Sequence, residues 1–159
     1  MADSEKRHDA GILYFEDHAP CSVYEFGAVR VTEKEIVDFA KRYDPQVFHT
    51  DPEAAKKSAF SGLVASGWHS VLIAMRLLVD HRLSRVANLG SPGINELRWL
   101  KPVRPGDVLS VRMTILEARR SQSKPDRGVV TGLVEVLNQT GETVTSWKGI
   151  NIVRCRDVG

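Results

Sequence analysis

The sequence is poor in cysteine and has no large excess of charge of one sign. Its two cysteines, Cys21 and Cys155, lie near opposite ends of the 159 residues, without Cys-x-x-Cys spacing. Such isolated thiols exclude a disulfide scaffold or a cysteine zinc site and indicate a reduced, intracellular setting. The 22 basic and 20 acidic side chains leave a net charge of +2. This balance argues against the basic face by which proteins bind nucleic acid.

Long hydrophobic runs are also lacking. The most apolar stretch, 71–79, is about half the length of a membrane span and contains Arg76. The first ten residues are charged and have no apolar centre, unlike a secretory signal. We therefore expect a soluble, cytoplasmic protein with no membrane partner. Its length suits one domain with a real core.

Residues 1–20 are mixed and polar, which predicts a loose arm with His8 and His18 exposed to solvent. Thr32 and Glu35 have the spacing of a capping box, which predicts the start of a short amphipathic helix. The pair Asp44-Pro45 ends that helix, because a residue before proline avoids the α region.

Two further helix starts follow. Asp51 precedes Pro52 in an N-cap pattern, and Ser66 is a candidate N-cap for a long helix over 67–83. From 71 to 79 every residue except Arg76 is apolar. Because a helix that is apolar nearly all round is a buried one, this pattern predicts a central helix enclosed by the rest of the chain.

The remaining segments are rich in β-branched residues or alternate between apolar and polar, which is typical of strands. A β-strand precedes the helices, and several consecutive ones follow them. The sequence therefore predicts an α+β domain in which an antiparallel sheet wraps around the central helix. The predicted strands are 23–31, 94–100, 109–115, 128–137 and 142–154.

Asp44 and His49 are the first candidates for chemistry. They lie five residues apart in a proline-stiffened loop, where a carboxylate and an imidazole can converge on one water molecule. Such a pair suits general acid–base catalysis near neutral pH. The alternative is that Asp44 caps a turn while His49 packs beside Phe48. A metal site built from His49 and Asp51 lacks further ligands at a recognisable spacing.

Gly67 is the second candidate, at the mouth of the predicted central helix. The first turn of a helix leaves backbone N–H groups unpaired, and glycine lets a substrate oxygen approach them closely. The Gly67 N–H could then hold a carbonyl oxygen as negative charge builds on it. The alternative is helix–sheet packing that needs a small residue. His69 is expected to pack or to bond locally.

Three stretches of the chain resemble the MaoC-like dehydratase family of hotdog-fold proteins, which includes the (R)-specific enoyl-CoA hydratases. Residues 44–51, DPQVFHTD, resemble the family's signature D-x-N-P-x-H-x-D. Residues 62–69, GLVASGWH, are similar to the segment that opens the central helix and usually reads I-x-H-G. Residues 96–107, ELRWLKPVRPGD, resemble the strand and turn that end P-V-x-x-G-D.

The resemblance implies a single hotdog domain over residues 21–159. Asp44 and His49 match the catalytic acid–base pair, and Gly67 matches the glycine whose amide binds the thioester oxygen. The implied reaction is reversible syn addition of water to a trans-2-enoyl-CoA, giving a (3R)-3-hydroxyacyl-CoA. No metal or redox cofactor is expected, since coenzyme A arrives as part of the substrate. A homodimer or an assembly of dimers is implied, and it would cover a strand edge that is otherwise exposed.

Two departures from the family pattern lie at the predicted site. Gln46-Val47 replaces Asn-Pro, and Ser66 stands where many members have histidine. The competing functions are a hotdog thioesterase, which needs no imidazole five residues after the acid, and a non-catalytic acyl-thioester-binding subunit. Fold alone does not choose among the three.

Overall fold

Five antiparallel strands form one sheet. The structure is a computed structural model and describes residues 11–156. The strands are β1 (Val23–Arg30), β2 (Asn88–Trp99), β3 (Val108–Arg120), β4 (Arg127–Leu137) and β5 (Thr143–Arg154). Their order in the sheet is β1-β3-β4-β5-β2, so β3, β4 and β5 pair consecutively, β1 pairs with β3 at one edge, and β2 pairs with β5 at the other.

Four α-helices lie between β1 and β2, and the long one packs against the sheet. The capping box that opens the first helix is confirmed: Glu35 N–H donates to Thr32 Oγ1 at 3.2 Å, and Thr32 N–H donates to Glu35 Oε2 at 2.9 Å. Asp51 caps its helix as predicted, accepting bonds from two backbone N–H groups. The helices are α1 (Glu33–Tyr43), α2 (Val47–Thr50), α3 (Pro52–Ala55) and α4 (Gly67–His81).

The core lies between α4 and the inward face of the sheet. In β3, buried side chains alternate with partly exposed ones, as the sequence predicts. This face meets the buried residues of α4, including Ala74, Leu77 and Leu78. The predicted α+β hotdog architecture is therefore confirmed. The inward β3 residues are Leu109, Val111, Met113 and Ile115.

The prediction that α4 is enclosed on all sides is wrong for one face. Trp68, Leu72, Met75 and Val79 recur at helical spacing, and each keeps 38–53% of its surface exposed. A single sheet covers only one side of a helix, so an apolar pattern all round needs a second covering surface. Within residues 11–156 that surface is missing, which leaves an apolar stripe along α4.

Strand β2 begins six residues earlier than the sequence predicts. Gly90, Pro92 and Gly93 look like turn residues, but β2 is an edge strand, where proline and glycine are tolerated. The pairing of β2 with β5 shifts register three times, and Glu96 has a positive φ of 53°. The residues that break the strand pattern are thus accommodated by bulges at the sheet edge.

The expectation that His18 is exposed to solvent is wrong. His18 is only 4% exposed, and its Nδ1 lies 2.7 Å from the carbonyl oxygen of Tyr14. Phe15 packs over Gly128, which lacks a side chain that would block it.

His8 lies outside the described residues, and the domain boundary at residue 21 stays a prediction. No helix described in residues 11–156 is long and apolar enough to span a membrane.

Candidate active site

Asp44 lies where α1 ends, because the following proline stops the helix. Its backbone N–H donates to the carbonyl oxygen of Ala40 at 2.8 Å and completes the last turn. The chain then extends at Gln46 and re-enters a helix at α2. This short reversal brings His49 back toward the carboxylate of Asp44.

His49 is held by the chain that leads into α4. Its Nδ1 lies 2.6 Å from the carbonyl oxygen of Val64, and the Val64 N–H donates to the carbonyl oxygen of Phe48 at 3.1 Å. A carbonyl only accepts, so Nδ1 carries the proton and Nε2 of the neutral ring has a free lone pair. That Nε2 lies 3.4 Å from Oδ2 of Asp44. The side chain is therefore fixed with its basic atom beside the carboxylate.

Both oxygens of Asp44 also accept side-chain hydrogen bonds. Gln46 Nε2 donates to Oδ1 at 2.7 Å, and Ser66 Oγ donates to Oδ2 at 2.7 Å. Partial burial acts to raise the pKa of Asp44, but these two bonds and the positive charge that His49 carries when protonated outweigh it and lower the pKa. The carboxylate is therefore held ionised. The two departures from the family signature supply its donors.

Gly67 begins α4 with an uncapped first turn. The residue before it, Ser66, occupies the N-cap position, but its hydroxyl bonds Asp44 instead of the helix, contrary to the predicted cap. Its carbonyl accepts from His69 N–H and Ser70 N–H, whereas Gly67 N–H has no acceptor among residues 11–156. The positive end of the helix macrodipole adds to this free donor. Any side chain at Gly67 would collide with the Trp99 indole.

Asp44, His49 and Gly67 line one cleft of about 470 Å³. The cleft therefore brings together the residues that the sequence selects for general acid–base work and for oxyanion binding. Its other walls are mostly apolar and include two tryptophans whose rings meet edge to face at 5.2 Å. The remaining lining residues are Gln46, Phe48, Phe60, Val64, Ala65, Ser66, Trp68, Trp99, Leu100, Lys101, Pro102 and Val103.

His69 does not line this cleft and packs as the sequence predicts. Its ring stacks on Phe39 at 4.6 Å, and burial, opposed by the charge of Glu35, lowers its pKa. Of the cations near the site by chain position, Lys101 lines the cleft and pairs with Glu142. Arg104 instead donates to the carbonyl oxygen of Phe60 at 2.7 Å.

The sequence does not predict two contributions to the site. Trp99 forms a wall over Gly67, and nothing in its strand pattern indicates that position. The sequence marks Gln46 and Ser66 as departures from the family pattern, and Ser66 also as a candidate helix cap. Their bonds to Asp44 are recognisable only when the loop and the start of α4 are placed together. Within residues 11–156 no group of three or more His, Cys, Asp or Glu is placed to hold a metal ion.

The arrangement can orient a water molecule and polarise a carbonyl in the same space. A lone pair on His49 Nε2 can take a proton, the Asp44 carboxylate can stabilise the resulting imidazolium, and the Gly67 amide can donate to an oxyanion. The three groups lie on α2, α1 and α4, so their spacing is set by the packing of these helices. This is a constellation for adding or removing water next to a polarised carbonyl.

Comparisons with known proteins give relatives of mixed length. The uncharacterised protein YdeM of Bacillus subtilis is 31% identical over 118 residues, or 74% of this chain and 82% of YdeM. A mesaconyl-CoA hydratase of Cereibacter sphaeroides is 41% identical over 86 residues, or 54% of this chain and 24% of the hydratase. This chain thus matches only about a quarter of that enzyme.

A solved structure matches the whole fold. The crystal structure of the MaoC-like dehydratase from Rhodospirillum rubrum has a TM-score of 0.82 at 41% identity, covering 92% of this chain and 99% of that one. The family described as the MaoC like domain matches residues 18–138, well over half of the sequence. The signature loop, the opening of α4 and the strand that carries Trp99 all fall within that range. The chain belongs to the MaoC-like dehydratase family.

Proposed function

We propose that this protein adds water reversibly to a trans-2-enoyl-CoA and forms a (3R)-3-hydroxyacyl-CoA. The observation that carries the proposal is the convergence of Asp44, His49 and Gly67 on one cleft. Membership of the MaoC-like dehydratase family supports the hydratase or dehydratase class. The (3R) configuration and the CoA thioester follow from the resemblance to the (R)-specific hydratases.

The proposed reaction starts with water between His49 and Asp44. As the water oxygen bonds to C3, its proton passes to His49 Nε2, and the C2–C3 π electrons move toward the thioester carbonyl. Asp44 stays ionised beside the new imidazolium, at the 3.4 Å separation seen between Nε2 and Oδ2. The imidazolium then gives its proton to C2. One group handling both proton transfers explains syn addition, because both new bonds form on the same face.

The Gly67 N–H would hold the enolate oxygen that forms during addition. It is a free donor at a helix N-terminus that lines the cleft, where the helix macrodipole favours negative charge. Loss of such a donor typically reduces kcat by about 10²–10³. No step in this scheme uses a metal or redox cofactor, and coenzyme A enters only as part of the substrate. The cytoplasmic location stays a prediction.

The exposed stripe of α4 supports a homodimer. Leu72, Met75 and Val79 form an apolar row, and Ile94 on edge strand β2 is also 40% exposed. Single exposed apolar residues are ordinary, but a contiguous row next to an open strand edge is typical of a contact surface. A second copy of this chain would cover the helix and pair the edge at the same time.

The direct test is hydration of crotonyl-CoA, followed by loss of the enone absorbance. Wild type should be active, and Asp44→Asn should lose about two to four orders of magnitude in kcat, because its side chain no longer stabilises the imidazolium. Asp38→Asn is the matched control, since Asp38 is an exposed carboxylate on the same helix, paired with Lys34. Its activity should equal that of wild type.

A panel of thioesters extends the test. Short, branched and carboxylated enoyl-CoAs, including mesaconyl-CoA, should be assayed both for enone loss and for free-thiol release. Thiol release without hydration would assign a thioesterase. Tight binding without either reaction would assign an acyl-thioester-binding subunit. Either result in a folded protein would overturn the hydratase proposal.

A further inference from the structure

A second cavity lies at the C-terminal end of α4, away from the cleft that opens at its first residue. It has a volume of about 530 Å³ and shares no lining residue with the catalytic cleft. A helix of 15 residues separates the two by roughly 20 Å. We call it the distal cavity, and its lining residues are Leu13, Val23, Tyr24, Glu25, Phe26, His81, Arg82 and Arg85.

Arg82 is the unusual member of the distal cavity. The side chain is only 5% exposed, yet Nε and Nη2 are sealed from solvent without a hydrogen-bond acceptor among residues 11–156. Taking a guanidinium charge out of water is expensive unless an opposite charge and hydrogen bonds compensate. Native proteins compensate the great majority of such groups, so the uncompensated guanidinium charge of Arg82 points to an anion bound close to it.

Three neighbours could have supplied that compensation, and none does so. The Tyr24 ring lies 3.8 Å from the guanidinium carbon and interacts with its face, but a ring face does not accept the in-plane N–H groups. Glu25 accepts instead from Arg112 Nε at 2.7 Å. The carbonyls ending α4 attract positive charge, but in the described chain the Arg82 side chain donates to none of them.

The surroundings add positive charge. Arg85, exposed and without a side-chain hydrogen bond in residues 11–156, lies on the same cavity wall as His81. His18 adds no further positive charge, because burial chiefly, with a further contribution from the Arg82 charge, lowers its pKa against the opposing bond to Tyr14. In a chain with a net charge of only +2, Arg82 and Arg85 on one cavity are a local concentration of positive charge.

A smaller depression of about 310 Å³ adjoins the distal cavity and shares Arg85 with it. Arg154 lines this depression, and no carboxylate does. The distal cavity also has apolar walls formed by Leu13, Val23 and Phe26. The two spaces therefore offer cations together with apolar surface, and their combined size exceeds what an inorganic ion fills.

We propose that the distal cavity binds the phosphate group of a small organic molecule between Arg82 and Arg85. Nε and Nη2 of Arg82 are sealed, so the donors within reach of the cavity are its Nη1 amino group and the exposed guanidinium of Arg85, and the two positive charges match the double negative charge of a phosphate. The organic part of the ligand packs on the apolar wall. This site is separate from the proposed hydration chemistry and stands whether or not that function is correct.

The test on wild-type protein follows the arginine Nε–H signals by NMR during titration with inorganic phosphate, with chloride at equal ionic strength as reference. The Arg82 signal should shift with phosphate and stay still with chloride. A second titration with adenosine 3′,5′-bisphosphate compares a phosphate on an organic body. Tighter binding of the nucleotide identifies an organic phosphate as the ligand, whereas stronger or equal binding of inorganic phosphate overturns the organic part of the proposal.

Variants then test the residues. Arg82→Gln and the exposed Arg85→Gln should each weaken phosphate binding by roughly tenfold or more, since each removes charge-assisted bonds. Arg76→Gln is the matched control, because Arg76 is an exposed arginine of the same helix paired with Asp80 at 2.7 Å. An unmoved Arg82 signal in wild type at millimolar phosphate, or equal binding by folded Arg85→Gln and wild type, would refute the site.

Discussion

Ser66→Ala removes one of the two side-chain donors that hold the Asp44 carboxylate. The Ser66 hydroxyl is 1% exposed and donates to Oδ2 of Asp44 at 2.7 Å. A hydrogen bond to a charged group contributes about 1.5–3 kcal/mol. One pKa unit corresponds to about 1.4 kcal/mol. Gln46 still donates to Oδ1, so we expect the pKa of Asp44 to rise in the variant but to stay lowered by the remaining bond.

The sign of the effect follows from the lowered pKa of Asp44 in the folded protein. A carboxyl with a lowered folded pKa stabilises the fold above its unfolded pKa, and this contribution is lost as pH falls through the folded pKa. Ser66→Ala brings the two pKa values closer, so less stability depends on ionisation. At neutral pH the variant should lose about 1–2 kcal/mol of unfolding free energy.

The assay is a ¹³C NMR titration of the Asp44 side-chain carboxyl group. In Ser66→Ala the midpoint of this titration should lie at higher pH than in wild type. Ser58→Ala is the control and should leave the midpoint unchanged, since the Ser58 hydroxyl bonds the carbonyl oxygen of Ala55 at 2.6 Å and lies outside the cleft. An unchanged midpoint in folded Ser66→Ala would refute the role given to this hydrogen bond.

Three further predictions concern Gly67, the α4 stripe and the capping box. Gly67→Ala should reduce kcat by about 10², because the new methyl group displaces the Trp99 indole and shifts the substrate relative to the Gly67 N–H, which the variant keeps. Gly11→Ala, whose methyl group enters open space, should match wild type in the hydration assay. If the protein forms the proposed homodimer, Leu72→Lys should convert it to monomers in sedimentation velocity. A dimer that persists in this variant would exclude the α4 stripe as its contact. Thr32→Ala should cost about 1 kcal/mol in denaturant unfolding, with kcat unchanged, and no loss of stability would show that the cap is dispensable.

Local patterns were sufficient where local interactions decide the structure. The Thr32 and Glu35 capping box depends on residues three apart, and the alternation in β3 depends on which face of one strand is buried. The proximity of Asp44 and His49 is predictable for the same reason, because five residues and a proline set their separation. In each of these cases the interacting groups lie within a short stretch of chain.

Features that depend on distant contacts were not predictable. Ser66 looks like a helix cap, but its hydroxyl bonds a carboxylate 22 positions earlier in the sequence. The beginning of β2 resembles a turn until β5 pairs with it. His18 looks solvated in a polar segment, although the tertiary fold buries it. The α4 pattern predicts burial on every side, but the described chain covers only part of the helix.

The hydration of crotonyl-CoA in D₂O tests the central claim most directly, because the product shows on which face of the substrate the new C3–O and C2–D bonds form. If Asp44, His49 and Gly67 act on one face of the substrate, the product is (3R)-3-hydroxybutyryl-CoA with one deuterium at C2, added syn to the hydroxyl. Chiral analysis and NMR of the product give both results. A (3S) product, anti addition, or no enone loss by folded wild type with this or any other enoyl-CoA would contradict the account.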